Sequence, residues 1–141
     1  MAKDLYIGGA AQIKAYRILQ TNVAEAVKSF GLGSVSEWLM LCHIYYNQNV
    51  MARELAELLE VEAPLATRLV ANLQQAGLVA SRPHPTDKRV KFLNATPEAK
   101  KLIDKVEAML EYRLTKLLKG VDEAELKTYQ KVLSAIISNG S

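Results

Sequence analysis

One stretch of this chain leaves few folds open, because its hydrophobic period changes within a short distance. Residues 52–59, Ala-Arg-Glu-Leu-Ala-Glu-Leu-Leu, form a short and strongly helical segment. Glu60-Val61-Glu62 follows as a brief turn. A second helix is expected to begin near Pro64, since proline suits the first helical turn. It runs through Leu65, Leu69, Val70 and Leu73 to Ala76, and Gly77 ends it. The pattern then becomes strand-like over residues 78–82 and 89–95, with Pro83-His84-Pro85-Thr86-Asp87-Lys88 between them as a hairpin tip. Two short helices joined by a tight turn are a helix-turn-helix, and here a hairpin follows directly.

The flanks are helical. Ile13, Tyr16, Leu19, Val23, Val27 and Phe30 recur at steps of three and four, which predicts a first helix over 10–30 ended by Gly31. Ser34 and Glu37 have capping-box spacing, so a second helix should start there and run to about Tyr46 before Asn47-Gln48-Asn49 breaks it. After the hairpin, Thr96 and Pro97 open a long helix, Gly120 stops it, and Asp122 with Glu125 opens a last one. The expected fold is mainly α with a small β-hairpin wing. It is one domain over 1–141, with a winged helix-turn-helix at 34–95 and terminal helices at 1–33 and 96–141. Those helices carry apolar stripes that a compact winged helix has little room to cover. Packing them against a second copy is the simplest solution, which predicts a homodimer.

Composition removes several classes of function. In 141 residues there are two histidines and one cysteine, with no glycine-rich phosphate loop and no cluster of metal ligands. We therefore expect no enzyme activity, no metal and no cofactor. A single cysteine forms no intrachain disulfide, and no apolar run is long enough for a signal peptide or a membrane span. A soluble cytoplasmic protein with no membrane partner is the expectation. The net charge of +3 permits nucleic-acid binding without demanding it, so the placement of the charge matters more than its sum.

The stretch from Leu32 to about Leu102 resembles the multiple-antibiotic-resistance-regulator (MarR) family of transcription factors. The likeness runs through Leu32, Ser36-Glu37-Trp38, Leu41, Glu54-Leu55-Ala56, Thr67-Arg68-Leu69-Val70, Leu73 and Gly77-Leu78-Val79. Its most diagnostic part is Arg82-Pro83-His84-Pro85-Thr86-Asp87-Lys88-Arg89, which matches the family's wing with its Asp-x-Arg tip. Two departures stand out: Ala95-Thr96-Pro97-Glu98-Ala99 replaces the usual Leu-Thr with a following Gly, and Ser81 stands where a basic residue is usual.

The resemblance implies a homodimeric regulator, commonly a repressor, that binds a pseudo-palindromic double-stranded DNA operator. Ala63 and Pro64 would dock the helix N-terminus on the phosphate backbone, and Thr67, Arg68 and Asn72 would face the major groove. Arg89 resembles the family's minor-groove arginine, with Asp87 as its brace. Lys88, Lys91 and Arg82 are expected on phosphates, and Lys100 and Lys101 add charge nearby. The family also implies release by a small aromatic or anionic effector, for which Arg17, Trp38, His43, Tyr45 and Tyr46 are candidate pocket residues. Core packing is the competing reading for each aromatic. Two alternatives remain: a winged-helix protein–protein module that never binds DNA, and a redox-sensing regulator using Cys42.

Overall fold

A computed structural model describes residues 7–141. The first six residues, part of the 1–33 segment, lie outside the described residues. Six helices and one hairpin follow in order: α1 (Ala10–Ser29), α2 (Val35–Tyr46), α3 (Ala52–Leu59), α4 (Ala63–Gln75), β1 (Val79–Pro83), β2 (Lys91–Ala95), α5 (Pro97–Leu117) and α6 (Glu123–Gly140). This is the mainly α, winged helix-turn-helix architecture expected from the periodicity.

Local chemistry sets the helix ends. Behind α1, Leu32 N–H donates to Val27 O (3.1 Å) and Gly31 N–H to Lys28 O (3.0 Å). That pair of bonds is a Schellman motif, and Gly31 supplies the positive φ it needs, +89°. α4 ends the same way through Leu78 to Leu73 O and Gly77 to Gln74 O, both 3.0 Å. α3 repeats the motif with Val61 to Ala56 O and Glu60 to Glu57 O. There Glu60, not glycine, occupies the left-handed region at φ 53°.

At the other ends, Ser34 Oγ accepts from Glu37 N–H at 3.2 Å. The reciprocal half of the expected capping box is displaced: Glu37 Oε2 accepts from Gly33 N–H (2.8 Å), one residue before the cap. Thr96 Oγ1 caps α5 by accepting from Ala99 N–H (3.3 Å) and also donates to Gly77 O (2.7 Å). Asp122 and Glu125 form a complete capping box on α6.

Relative to the sequence pattern, β1 is shifted by one residue at the same length and β2 is two residues shorter. β1 begins at Val79 because the Leu78 N–H closes α4. β2 begins at Lys91 because Val90 N–H returns to Asp87 O (3.1 Å) and keeps residues 87–90 in the turn. The hairpin is antiparallel, with Ser81 opposite Leu93. Leu93 also exchanges both backbone bonds with Val50, in the segment before α3 (2.8 and 3.1 Å). The wing is thus stitched to the helix-turn-helix and does not stand free.

The chain divides into two compact units, Met1–Leu110 and Glu111–Ser141. The boundary falls inside α5. The first unit's core gathers Trp38, Met40, Leu41, Ile44, Leu55, Leu69, Leu73 and Leu93, and also Val27 of α1 and Ala99, Ile103 and Val106 of α5. Parts of α1 and α5 therefore pack within the monomer, which corrects the idea that their stripes await a partner over their whole length. Further toward its N-terminus, α1 half-buries Val23 and Leu19 and exposes Ile13, Tyr16 and Ile18. In the second unit α6 buries no side chain, and Tyr129, Val132, Ile136 and Ile137 are open to solvent.

Candidate nucleic-acid interface

α4 buries Ala66, Leu69, Val70 and Leu73. At 100° per residue, those positions leave Pro64, Thr67, Arg68, Ala71, Gln74 and Gln75 on the outward side, and all six are exposed. Thr67, Ala71 and Gln74 line one wall of a groove of about 400 Å³. Met51, Ala52 and Arg53 at the start of α3 form a second wall, and Arg89, Val90 and Lys91 of the wing form the third. Among the described residues, three cations, Arg53, Arg89 and Lys91, line this groove, and no carboxylate does. The N-terminus of α4 lies open beside it: Ala63 and Pro64 are exposed, and Glu62 provides no side-chain cap. Such a terminus carries partial positive charge that favours an anion, although Pro64 has no N–H and the Leu65 and Ala66 N–H groups already bond Glu62 O.

The wing tip is a compact hydrogen-bonded turn. Asp87 Oδ1 accepts from Arg89 N–H (3.1 Å) and Nε–H (3.2 Å). The Arg89 side chain bonding to Asp87, aided by the Arg89 backbone N–H, holds the Asp87 carboxyl below the usual carboxylate range. The Arg89 side chain is nonetheless 91% exposed, so the guanidinium is steered but not covered. Lys88 projects at the tip and Lys91 at the base, both exposed.

His84 is a site residue that sequence reasoning missed. Its Nδ1 accepts from Thr86 N–H (3.2 Å) and Asp87 N–H (3.1 Å), and its ring lies 4.8 Å from that of Phe92. A neutral imidazole with its proton on Nε2 is the species that can accept both bonds. The signal was local: a side-chain acceptor two residues before Thr86-Asp87 can cap the turn, as Asx residues do. Arg53 was also missed, although an exposed cation in the first turn of the first helix-turn-helix segment is visible in the sequence.

Two expected contacts are committed elsewhere. Arg82 Nη2 donates to Asn49 Oδ1 at 2.6 Å and its guanidinium lies 5.3 Å from the Phe92 ring centroid. Asn49 N–H in turn donates to Asn94 Oδ1 (3.0 Å). Arg82 thus ties the base of the wing to the segment before α3, away from the free position expected of a phosphate ligand. Asn72 Nδ2 donates to Glu37 Oε1 at 2.9 Å, which ties its amide to α2 although the residue is exposed. Lys100 and Lys101 pair with Asp104 (2.9 Å) and Glu98 (3.7 Å) along α5.

The candidate effector residues have different surroundings, although the Tyr45 and Tyr46 rings meet edge to face with centroids 4.9 Å apart. Trp38 is 5% exposed and belongs to the core. Tyr45 packs against that core, while Tyr46 donates its hydroxyl to Glu107 Oε1 (2.6 Å). His43 lines a shallow depression of about 550 Å³ with Glu54, Glu57 and Leu58, which none of the other four shares. Arg17 is exposed on α1. Cys42 departs from a redox sensor: burial, with the Glu107 carboxylate adding, pushes its thiol up to about 12. A reactive cysteine needs the opposite shift.

Comparison with known proteins places this geometry. A family model for the MarR family matches residues 34–91, the stretch that carries α2, the helix-turn-helix and most of the wing. The HTH-type transcriptional regulator YybA of Bacillus subtilis (strain 168) is 26% identical over 103 residues, 73% of this chain and 69% of that protein. The solved structure of the transcriptional regulator PA3341 is 31% identical and superposes with a TM-score of 0.77, covering 95% of this chain and 97% of that one. A MarR family transcriptional regulator from Listeria monocytogenes, solved in complex with a 26-mer DNA, is 25% identical with a TM-score of 0.77 over 89% of this chain and 83% of its own. A sequence match centred on the helix-turn-helix and wing, joined to a structural match over nearly the whole chain, makes this protein a member of the MarR family of winged-helix transcriptional regulators.

Proposed function

We propose that the protein binds double-stranded DNA as a homodimer, with α4 in the major groove and the wing tip against the adjacent minor groove, and that it represses transcription from the sites it occupies. One observation carries this reading: the outward face of α4, the start of α3 and the wing share a groove lined by Arg53, Arg89 and Lys91. Phosphate contacts position such a module, and side chains at base edges specify the sequence. Thr67, Arg68 and Gln74 take the base-facing role, since they project from the helix that this module type lays in the groove. Ala63 and Pro64 bring the helix N-terminus to a phosphate, joined by Arg53, Lys88 and Lys91. Arg89, steered by Asp87, reaches the minor groove, where narrow A·T-rich segments concentrate negative potential. The Listeria relative solved with a 26-mer DNA supports DNA as the partner.

The dimer follows from α6. A helix of 18 residues that fully buries no side chain is marginal in water, and this one half-buries Leu126 and Leu133 while exposing Tyr129, Val132, Ile136 and Ile137. A twofold partner gives those side chains a place and presents two copies of α4 to half-sites about one helical turn apart. The proposal assigns no effector site to Arg17, Trp38, His43, Tyr45 and Tyr46.

The test uses fluorescence anisotropy with duplexes selected from a random pool, and light scattering for mass. A dimer that binds one selected duplex with steep salt dependence is expected. A monomer indifferent to duplex at low salt would return the fold to the protein–protein module reading. Repression is tested separately, with a reporter placed behind the selected site: expression must rise when the gene is deleted.

A further inference from the structure

Glu37 is the one charged side chain among the described residues that is buried in the core region, at 7% exposure. Both of its carboxylate oxygens are occupied, and by different parts of the fold. Oε2 accepts from Gly33 N–H (2.8 Å) in the turn that joins α1 to α2. Oε1 accepts from Asn72 Nδ2 (2.9 Å) on α4, 35 residues away in sequence. The fit at the first contact is tight, since a Cβ on Gly33 would stand 2.8 Å from Oε2.

Burying a carboxylate is a poor way to gain stability, since desolvation offsets most of what the bonds return. Its directional bonds do something apolar packing cannot, which is to fix an angle. Asn72, itself exposed, sits on the flank of α4, between buried Leu69 and Leu73 on one side and exposed Arg68 and Gln75 on the other. A hydrogen bond at that flank sets how far α4 is rotated about its own axis. Buried leucines alone tolerate sliding and small rotations, because dispersion contacts are non-directional.

We propose that Glu37 is a positioning residue for DNA reading. It locks the rotation of α4 to the α1–α2 corner through Asn72, and so decides which side chains of α4 meet the base edges. This rests on the reading that α4 enters the major groove. It makes Asn72 the receiver of that constraint instead of a base-contacting residue, which departs from the role the sequence suggested.

The test compares Glu37→Leu, Glu37→Gln, Asn72→Ala and the double variant Glu37→Leu/Asn72→Ala. Each is measured for thermal stability, for affinity to the selected duplex and for affinity to a scrambled one. Glu37→Leu is expected to keep its melting temperature but lose about tenfold for the selected duplex, with little change for the scrambled one. Glu37→Gln should recover nearly all of that loss: its Oε1 can accept from Gly33, and its Nε2 can donate to Asn72 once that amide turns over. Asn72→Ala and the double variant should match Glu37→Leu, since all three remove the same constraint. Should Glu37→Leu fail to fold, Glu37→Gln and Asn72→Ala still decide the matter. The proposal is overturned if either Glu37→Leu or Asn72→Ala discriminates between duplexes as the parent does, or if the two losses add in the double variant, which would mark Asn72 as a direct reader. Absence of duplex binding by the parent protein is a different result: it removes the DNA reading itself and this inference with it.

Discussion

Replacing Arg89 by alanine separates a DNA contact from a structural one, because the structure gives this side chain so little else to do. It is 91% exposed and bonds only within its own turn, to Asp87 two residues earlier. Its removal leaves no buried group unpaired. The turn itself persists, since His84 still receives Thr86 and Asp87 N–H, and His84 N–H still donates to Val90 O. The melting temperature should therefore stay within a degree or two of the parent. Binding should respond strongly. A twofold dimer loses one cation from each of two wings, and with a counterion slope of about 0.9 per neutralised phosphate, log Kd against log salt should flatten by roughly 1.8. Between 50 and 200 mM salt that difference amounts to about a 12-fold change in the ratio of the two affinities. Anisotropy titrations at four salt concentrations, with circular dichroism melts alongside, measure both quantities. A variant with the parent's slope and the parent's affinity would falsify the placement of the wing on DNA.

Other outcomes follow from single features of the fold. Glu60→Gly should stabilise the protein by about 1 kcal/mol, because a left-handed glutamate at the end of α3 gives way to a residue without that steric cost, and a melt would show it. Leu73→Ala, which opens a cavity beneath α4 at a side chain 1% exposed, should cost about 2–5 kcal/mol in urea unfolding. The Cys42 thiol rises from 9.0 to about 12 on folding, so native protein should resist a thiol reagent at pH 8 until unfolded. The same shift makes the unfolded chain release its proton first as pH climbs past 9, so Cys42 should contribute a loss of stability between pH 9 and 12 and none below. His84→Ala should leave the melt unchanged and weaken duplex binding several-fold, since the tip loses the acceptor that orders it in front of the phosphates.

Helix ends were readable in the sequence because the chemistry that sets them lies within four residues: Ser34 before Glu37, Thr96 before Pro97, Asp122 before Glu125, Gly31 and Gly77 behind their helices. The strand pair was visible, but its limits were off by a residue or two, since the bonds of Leu78 and Val90 belong to the preceding helix and the turn. Long-range pairings were not legible. Nothing near Arg82 announces Asn49, and nothing near Asn72 announces Glu37, because those contacts exist only once the helices have packed. Both residues looked like DNA ligands by type, and folding gave each a partner inside the protein. The candidate pocket misled for a related reason: aromatic spacing on α2 reports an apolar helix and does not say that Trp38 fills the core.

The double exchange between Leu93 and Val50 has a practical meaning for redesign. Since β2 pairs with β1 along one edge and, through Leu93, with Val50 along the other, extra residues placed in the 84–90 tip can bulge outward while the frame beneath keeps its alignment. One residue added within 91–95 would instead swing Leu93, 3% exposed, toward water and unpick the whole hairpin. Tips of different length and charge could therefore be grafted between relatives as cassettes, with the five-residue strand left untouched as the splice point.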